Sequence, residues 1–270
     1  MEWIVLGSGT FLPQADRGAA AHLLVGDGVA ALFDSGSGAK ERLARAHVSP
    51  QQLTHLIYSH SHLDHWADLL SLLFLRAYTP ASQRRAAQTI IGPAGFPDMV
   101  RRAAREVSSK LVDNNADLVW IEAEPGVTID AEWFALTARS VEHGGHRAVG
   151  YRAEGEIHGQ RWSVAYSGDS GPCDGLGVLA KDAQCFVCEC SLPESKKLDL
   201  HMTPEGVRAV ADDARPGLLV LTHLYPEVLE PGVIDRAFEG YRGKMVVGCD
   251  GLRVGLTPGA SAGSVLSHPG

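Results

Sequence analysis

Between positions 58 and 65 the chain reads Tyr-Ser-His-Ser-His-Leu-Asp-His, which puts His60, His62, Asp64 and His65 within six positions. No other stretch restricts the fold as strongly, because four such side chains act together only when a rigid support presents them. The run Thr54, Leu56, Ile57, Tyr58 before them is apolar and β-branched, and Trp66, Leu69, Leu70, Leu72 and Leu73 after them recur at helical spacing. The segment reads as a strand that ends in a loop and turns into a helix. In an extended segment residues two apart leave on the same side, so the rings of His60 and His62 project together. Asp64 and His65, past the turn, can face a different point nearby. One loop can thus serve two neighbouring metal ions through imidazole and carboxylate ligands suited to zinc.

His60-Ser-His62-Leu-Asp64-His65 matches the H-x-H-x-D-H motif of the metallo-β-lactamase fold superfamily, which the chain resembles from about residue 3 to 252. The resemblance implies an α/β fold, the αββα sandwich of two packed β-sheets flanked by helices. The pattern of elements agrees. Strands are predicted over 3–7, 22–25, 29–33, 89–91, 118–121, 127–129, 134–141, 149–153, 162–166, 185–190, 218–221 and 245–247. Helices are predicted over 39–46, after Asp64 to about Tyr78 with Asp64 or Asp68 suited to the amino terminus, and over 98–111, 175–181, 204–214 and 233–241. Strands in runs with helices interspersed fit two stacked sheets better than one doubly wound sheet. Residues 1–258 form one predicted domain, and the small, polar tail 259–270 is expected to be disordered.

A two-metal site needs more than one loop. His143, Asp169 and His223 each stand where an apolar strand ends. Any one alone could be a cap, a turn residue or a buried polar group; together with the first motif they make a shared site the economical reading. The resemblance implies that His60, His62 and His143 hold one metal and Asp64, His65 and His223 the other, with Asp169 bridging. Two zinc ions are expected, with manganese or iron as alternatives, around an acidified bridging water. His146, three residues on, competes with His143 for its place.

Later motifs narrow the resemblance to the ribonuclease Z-like phosphodiesterases. Gly150-Tyr-Arg152 resembles their G-Y-R segment and Ser167-Gly-Asp169-Ser their S-G-D-T. Cys188-Glu189-Cys190-Ser191 takes the place of H-E-A-T, keeping the Glu but not the His, and His201-Met-Thr203 stands where that group has H-x-T. The implied catalytic residues are Asp64, also a ligand, with His201 as a non-ligand group at the scissile phosphate and Glu189 orienting it. True tRNA-processing members carry a long arm between the third and fourth motifs, whereas His143 to Asp169 spans only 26 positions (169 − 143).

The formal net charge of −8 also argues against a broad nucleic-acid footprint. The expected activity is therefore a dinuclear phosphodiesterase on a small anionic, nucleotide-like substrate. A lactonase, arylsulfatase or other esterase on the same scaffold is the alternative. A tRNA 3′-processing enzyme and a non-catalytic metal-binding protein are less favoured. The start of the chain shows no signal peptide, and no apolar run is long enough for a membrane span. Five cysteines, an odd number without a disulfide framework, point to a reduced, cytoplasmic protein. Alternation along a strand turns Cys185 away from Cys188 and Cys190, so buried thiols are expected there rather than a metal site. The basic residues Arg101, Arg102, Arg105 and Lys110 read as a solvated helix face, and the Gly-rich loop after Asp34 as a tight turn beside the site. A homodimer is expected by analogy.

Overall fold

The computed structural model describes residues 1–84, 88–256 and 264–267. The chain opens with antiparallel β1 (Glu2–Gly7), β2 (Ala21–Gly26) and β3 (Val29–Ser35). Asp27 and Gly28, both at positive φ, form the tight turn between the last two. Helix α1 (Ala39–Arg45) leads to β4 (His55–Ile57), parallel to β3. Helices α2 (Leu63–Trp66) and α3 (Leu69–Tyr78) precede β5 (Thr89–Pro93), and α4 (Phe96–Val107) and α5 (Lys110–Asp113) precede β6 (Val119–Ala123), both strands again parallel.

A second sheet begins as an antiparallel meander of β7 (Thr128–Asp130), β8 (Ala135–Ser140), β9 (Val149–Ile157) and β10 (Gln160–Tyr166). It continues with parallel strands as α6 (Asp174–Ala180), β11 (Cys185–Glu189), α7 (Pro204–Ala214), β12 (Leu219–Thr222), α8 (Val233–Ala237) and β13 (Met245–Val247) follow. β14 (Arg253–Gly255) then returns to pair with β1, and β15 (Ser264–Ser267) pairs with β14. The sheet orders are β15-β14-β1-β2-β3-β4-β5-β6 and β13-β12-β11-β10-β9-β8-β7.

Alternation along the strands builds three apolar layers. Trp3 and Val5 of β1 face the core between the sheets with Phe33, Tyr151, Trp162 and Tyr166, while Ile4 and Leu6 face the layer containing Leu43, Leu69, Leu73 and Val100. On the second sheet Cys185 and Val187 point inward, and Phe186, Cys188 and Cys190 pack under α6 and α7 with Leu176, Leu179 and Val207. Cys185 thus opposes Cys188 and Cys190, as alternation predicts, and burial raises all three thiols above their ordinary range. This is the αββα sandwich.

Three expectations are corrected. The helix predicted from Asp64 to Tyr78 is two helices, because the Asp68 amide donates to the Ser35 carbonyl (2.9 Å) and its carboxylate accepts from the Lys40 amide (2.9 Å). The helix predicted over 98–111 starts two residues earlier, after the left-handed Gly95, and breaks at Ser108, whose backbone is extended. Within the tail expected to be disordered, residues 264–267 form β15; Val265 and Leu266 suit a strand, and β14 offers an open edge. The rest of that tail lies outside the described residues. Arg101 of α4 pairs with Asp98 (3.0 Å) and lies over the Trp120 ring (4.7 Å), as a solvated helix face would.

Buried Arg76 fastens α3 to the chain after α5. It donates to Asn115 (3.0 Å) and to both oxygens of Asp117 (2.8 Å each), while Asn115 donates to the Leu73 and Leu111 carbonyls. Arg76→Ala is expected to destabilise the protein by about 2 kcal/mol, below the range for a fully buried ion pair because Asp117 is 43% exposed. The check is a lower urea midpoint at unchanged slope. Arg76 holds the Asp117 carboxyl down at about 2, against an ordinary 3.8. That contribution is complete above 3.8 and disappears as pH falls through about 2, so the variant loses less additional stability in that window.

Candidate metal centre

Both sheets are parallel on the side where the strands deliver polar residues, and the site lies outside the carboxyl ends of those strands. The strand β3 ends in Asp34 and Ser35, β4 runs out through Tyr58 and Ser59 into His60 and His62, and Asp64 and His65 occupy the first turn of α2. His143 follows β8, Asp169 follows β10, Glu189 ends β11, and His223 follows β12. Gly36 allows the first loop to close, because a Cβ there would stand 2.1 Å from the Asp64 carbonyl oxygen. Asp34 and His223 both hold left-handed backbone (φ 54°), an uncommon conformation for non-glycine residues that clusters at functional sites.

The side chains converge. His60, His62 and His143 present potential ligand atoms within 4.8 Å of one another, and so do Asp64, His65 and His223. Asp169 lies between the groups: its oxygens are 3.9 Å from His60 Nε2 and His143 Nε2, 3.2 Å from His65 Nε2 and 3.3 Å from His223 Nε2. His60 Nε2, His65 Nε2, His223 Nε2 and Asp169 Oδ1 are nevertheless buried without a hydrogen-bond partner. His65 Nε2 and Asp169 Oδ1 are within charge-contact distance but misaligned for a hydrogen bond, as expected of atoms aimed at a common point rather than at each other. Buried orphan donors are costly and rare. The 3.2 and 3.3 Å separations of Asp169 from His65 and His223 suit ligand atoms that share a cation, since zinc ligands about 2.0–2.2 Å from the metal stand roughly 3.3 Å apart. The His60–His62–His143 group offers a second such point. The residues therefore fit two metal ions.

The electrostatics agree. Burial, reinforced by His65, keeps the His60 imidazole well below its ordinary pKa and hence neutral, the form a ligand needs. Burial opposes ionisation of Asp169, but the imidazoles of His223 and His65 outweigh it and hold that carboxyl well below the usual range. Burial also opposes a charged His65, and there Asp169 and Asp34 prevail and push it well above its ordinary value. The positive charge these two carboxylates favour at His65 is the kind a divalent ion supplies.

Asp34 was not evident from the sequence except as the start of a turn. It is fully buried, and its carboxylate accepts from His65 Nδ1 (2.7 Å), Tyr166 Oη (2.7 Å), Ser59 Oγ (2.8 Å) and the Ser59 amide (2.9 Å). Ser59, Ser191 and the Leu200 carbonyl also escaped notice; they sit 3.0 Å from His60 Nδ1, 3.0 Å from His223 Nδ1 and 2.9 Å from His143 Nδ1. Such outer partners leave no local motif. A polar residue ending a buried strand, as Asp34 does, was the one available signal.

His201 and Glu189 come together beside the cluster. The His201 Nδ1 lies 3.0 and 3.1 Å from the Glu189 oxygens, which also accept from the Ser170 and Met202 amides and the Ser191 hydroxyl. Glu189 falls within ligand distance of His201 and His223, but its oxygens are already occupied by these donors. Burial disfavours a charged His201; Glu189 outweighs it and raises the ring to about 9. Half-buried Tyr225 packs near His201 and His223, and exposed Phe11 meets it edge-on at 6.0 Å. His146 is exposed, with its Nε2 3.3 Å from His62 Nε2; His143, not His146, joins the convergent group.

Comparison with known proteins places these observations in a family. The beta-lactamase superfamily domain matches residues 30–224, a span that includes every residue of the cluster. A ribonuclease Z from Mycolicibacterium gilvum is 30% identical over 97% of this chain and 98% of its own length. An uncharacterized Mycobacterium bovis protein, Mb1374, is 32% identical over 91% and 89%. Among solved structures, the metallo-beta-lactamase fold protein YhfI of Bacillus subtilis superposes with a TM-score of 0.79 at 21% identity, covering 93% of this chain and 98% of that one. The short form of human tRNase Z gives 0.74 at 22% identity, covering 95% and 99%.

Proposed function

From the premise that the chain belongs to the beta-lactamase superfamily, and is ribonuclease Z-like along nearly its whole length, we propose that it is a dinuclear metal-dependent phosphodiesterase. The observation that carries this reading is a convergent set of seven ligand residues with a hydrogen-bonded His201–Glu189 dyad at its edge. His60, His62 and His143 would hold one ion, Asp64, His65 and His223 the other, and Asp169 both. When bound, two zinc ions (or manganese or iron in their place) acidify water and offset charge developing on phosphoryl oxygens.

The chain's own groups supply the rest. His201 Nδ1 donates to Glu189, which leaves its Nε2 hydrogen for the departing oxygen and keeps the ring cationic until that hydrogen is given up. The buried walls and the Phe11–Tyr225 pair shape an entrance for a small substrate. A compact substrate also suits the β9–β10 connection, a His158-Gly159 turn where a processing arm would otherwise extend. Net charge −8 agrees with it.

We place the protein in the cytoplasm, a reading supported by its five free cysteines, and we read it as a homodimer by analogy with its relatives. No helix among the described residues is long and apolar enough to cross a membrane.

Turnover of bis-p-nitrophenyl phosphate against panels of lactones and aryl sulfates tests the reaction class. Preference for a lactone or a sulfate ester would replace the phosphodiester reading. The full-length likeness to ribonuclease Z favours a second reading, tRNA 3′ processing, and cleavage of a 3′-extended tRNA would establish it.

With a ring near 9, activity on a substrate with a poor alkoxide leaving group is expected to hold below that pH and fall as pH rises through about 9. Glu189→Gln removes the charge that raises His201. The alkaline limb should then move toward neutrality, with about a 10²-fold lower rate. A pH–rate profile that keeps its limb in place would contradict this role. An aryl ester, whose phenolate departs unaided, is the insensitive control.

A further inference from the structure

We propose that His146 is the outer hydrogen-bond partner that orients His62 as a metal ligand, an inference that rests on the two-metal reading above. Each imidazole of the centre turns one nitrogen to the shared space and has the other held. For His60, His65, His143 and His223 the held atom is Nδ1, and the partners are Ser59 Oγ, Asp34, the Leu200 carbonyl and Ser191 Oγ. His62 completes the set with its ring reversed. Its Nδ1 lies 3.0 Å from His143 Nε2, and its Nε2 lies 3.3 Å from His146 Nε2.

The tautomers follow. A carbonyl only accepts, so His143 carries a hydrogen on Nδ1, toward Leu200, and Nε2 is the atom it would offer a metal through a lone pair. With a cation held between them, His62 Nδ1 would turn a lone pair to it beside that of His143 Nε2, and the hydrogen of His62 would then be on its Nε2. His146 Nε2, 3.3 Å away, is then placed to accept that hydrogen.

The sequence His143-Gly-Gly-His146 is built for this arrangement. Gly144 and Gly145 take φ of 59° and 80°, which L side chains resist, and the His146 amide donates back to the His143 carbonyl (3.0 Å). The chain reverses within these four residues, and the His146 ring meets that of His62 at a centroid distance of 4.4 Å and an angle of 70°. The two histidines therefore divide the work, His143 as ligand and His146 as support. Asp34, Ser59 and Ser191, the other side-chain supports, are buried, whereas His146 is exposed. Water can partly replace an exposed acceptor, which sets the effect at the low end of the range for outer partners.

The test is zinc retention by the fully loaded protein in competition with a chromogenic chelator, with circular dichroism to monitor the fold. His146→Ala is expected to release one of two ions about 10-fold more readily, and His146→Gln, whose amide oxygen can accept the same hydrogen, to recover most of the difference. Equal retention by His146→Ala and the unaltered protein would overturn the proposal, as would a glutamine variant as weak as the alanine one. A His146→Ala protein that cannot hold a second ion in excess zinc, beside a His143→Ala protein that holds two, would make His146 the ligand and also overturn it. These readouts do not depend on which ester is hydrolysed, so loss of the phosphodiesterase reading and loss of this inference are separate results.

Discussion

Asp169→Ala is expected to abolish phosphodiester turnover and empty at least one metal position while leaving the sandwich folded. Among the described residues Asp169 is the one carboxylate within 3.9 Å of imidazoles from both ligand groups, so its removal strikes both. The loss in activity should exceed the about 10–100-fold typical of an outer partner, and 10³-fold or more is expected. The fold should survive, because the three apolar layers on either side of the sheets do not include this residue. Asp169→Asn separates charge from shape: it keeps the volume but supplies one neutral oxygen, and should bind metal poorly as well. Metal analysis and turnover on one preparation, with far-ultraviolet dichroism, check all three statements. Full turnover by the alanine variant would remove Asp169 from the site.

Asp34→Ala should damage both stability and metal binding. It deprives His65 Nδ1, Tyr166 Oη and both Ser59 donors of their shared acceptor in a fully buried position. Leaving buried donors unpaired costs about 1–3 kcal/mol each. Because water can enter the space left by the side chain and the effects are not additive, the expected total is about 3–5 kcal/mol, the range for breaking a buried charged pair. With His65 free to rotate, zinc at the Asp64–His65–His223 group should weaken by about 10–100-fold. Asp34→Asn is the sharper probe. It keeps the packing and an acceptor for Ser59, but it removes the charge that holds the hydrogen on His65 Nδ1. A folded Asn variant with unchanged metal affinity would show that His65 needs no such partner.

The contrast between Asp34 and Asp169 shows what was legible in the sequence. Asp169, His143 and His223 were legible as candidates because each stands where an apolar strand stops, and side chains at strand ends share the same edge of a layered sheet, where these three converge. The H-x-H-x-D-H loop was legible for a similar local reason. Alternation assigned Cys185 and Cys188 to opposite faces, as the layers show. What the sequence did not display were contacts made across the two sheets. Asp34 and Tyr166 are 132 residues apart and bond only because β3 and β10 face each other. His22, on β2, packs against Tyr166 at 4.9 Å and is driven by burial to a pKa of about 3 close behind the cluster, yet nothing near it in sequence marks it. The break at Ser108 was not legible because helical periodicity continues through it; Asp68 was legible as a helix amino terminus, which it is for α3, but not as a break after α2. At Asp68 the competing bonds come from β3 and α1.

The most direct test of the central claim is metal content measured together with phosphodiesterase activity, before and after chelation. The account predicts about two zinc ions per chain and turnover that a chelator removes and added metal restores. Less than one metal per chain, not raised by zinc or manganese, would contradict it, because His60, His62, Asp64, His65, His143, Asp169 and His223 would then converge for some other reason.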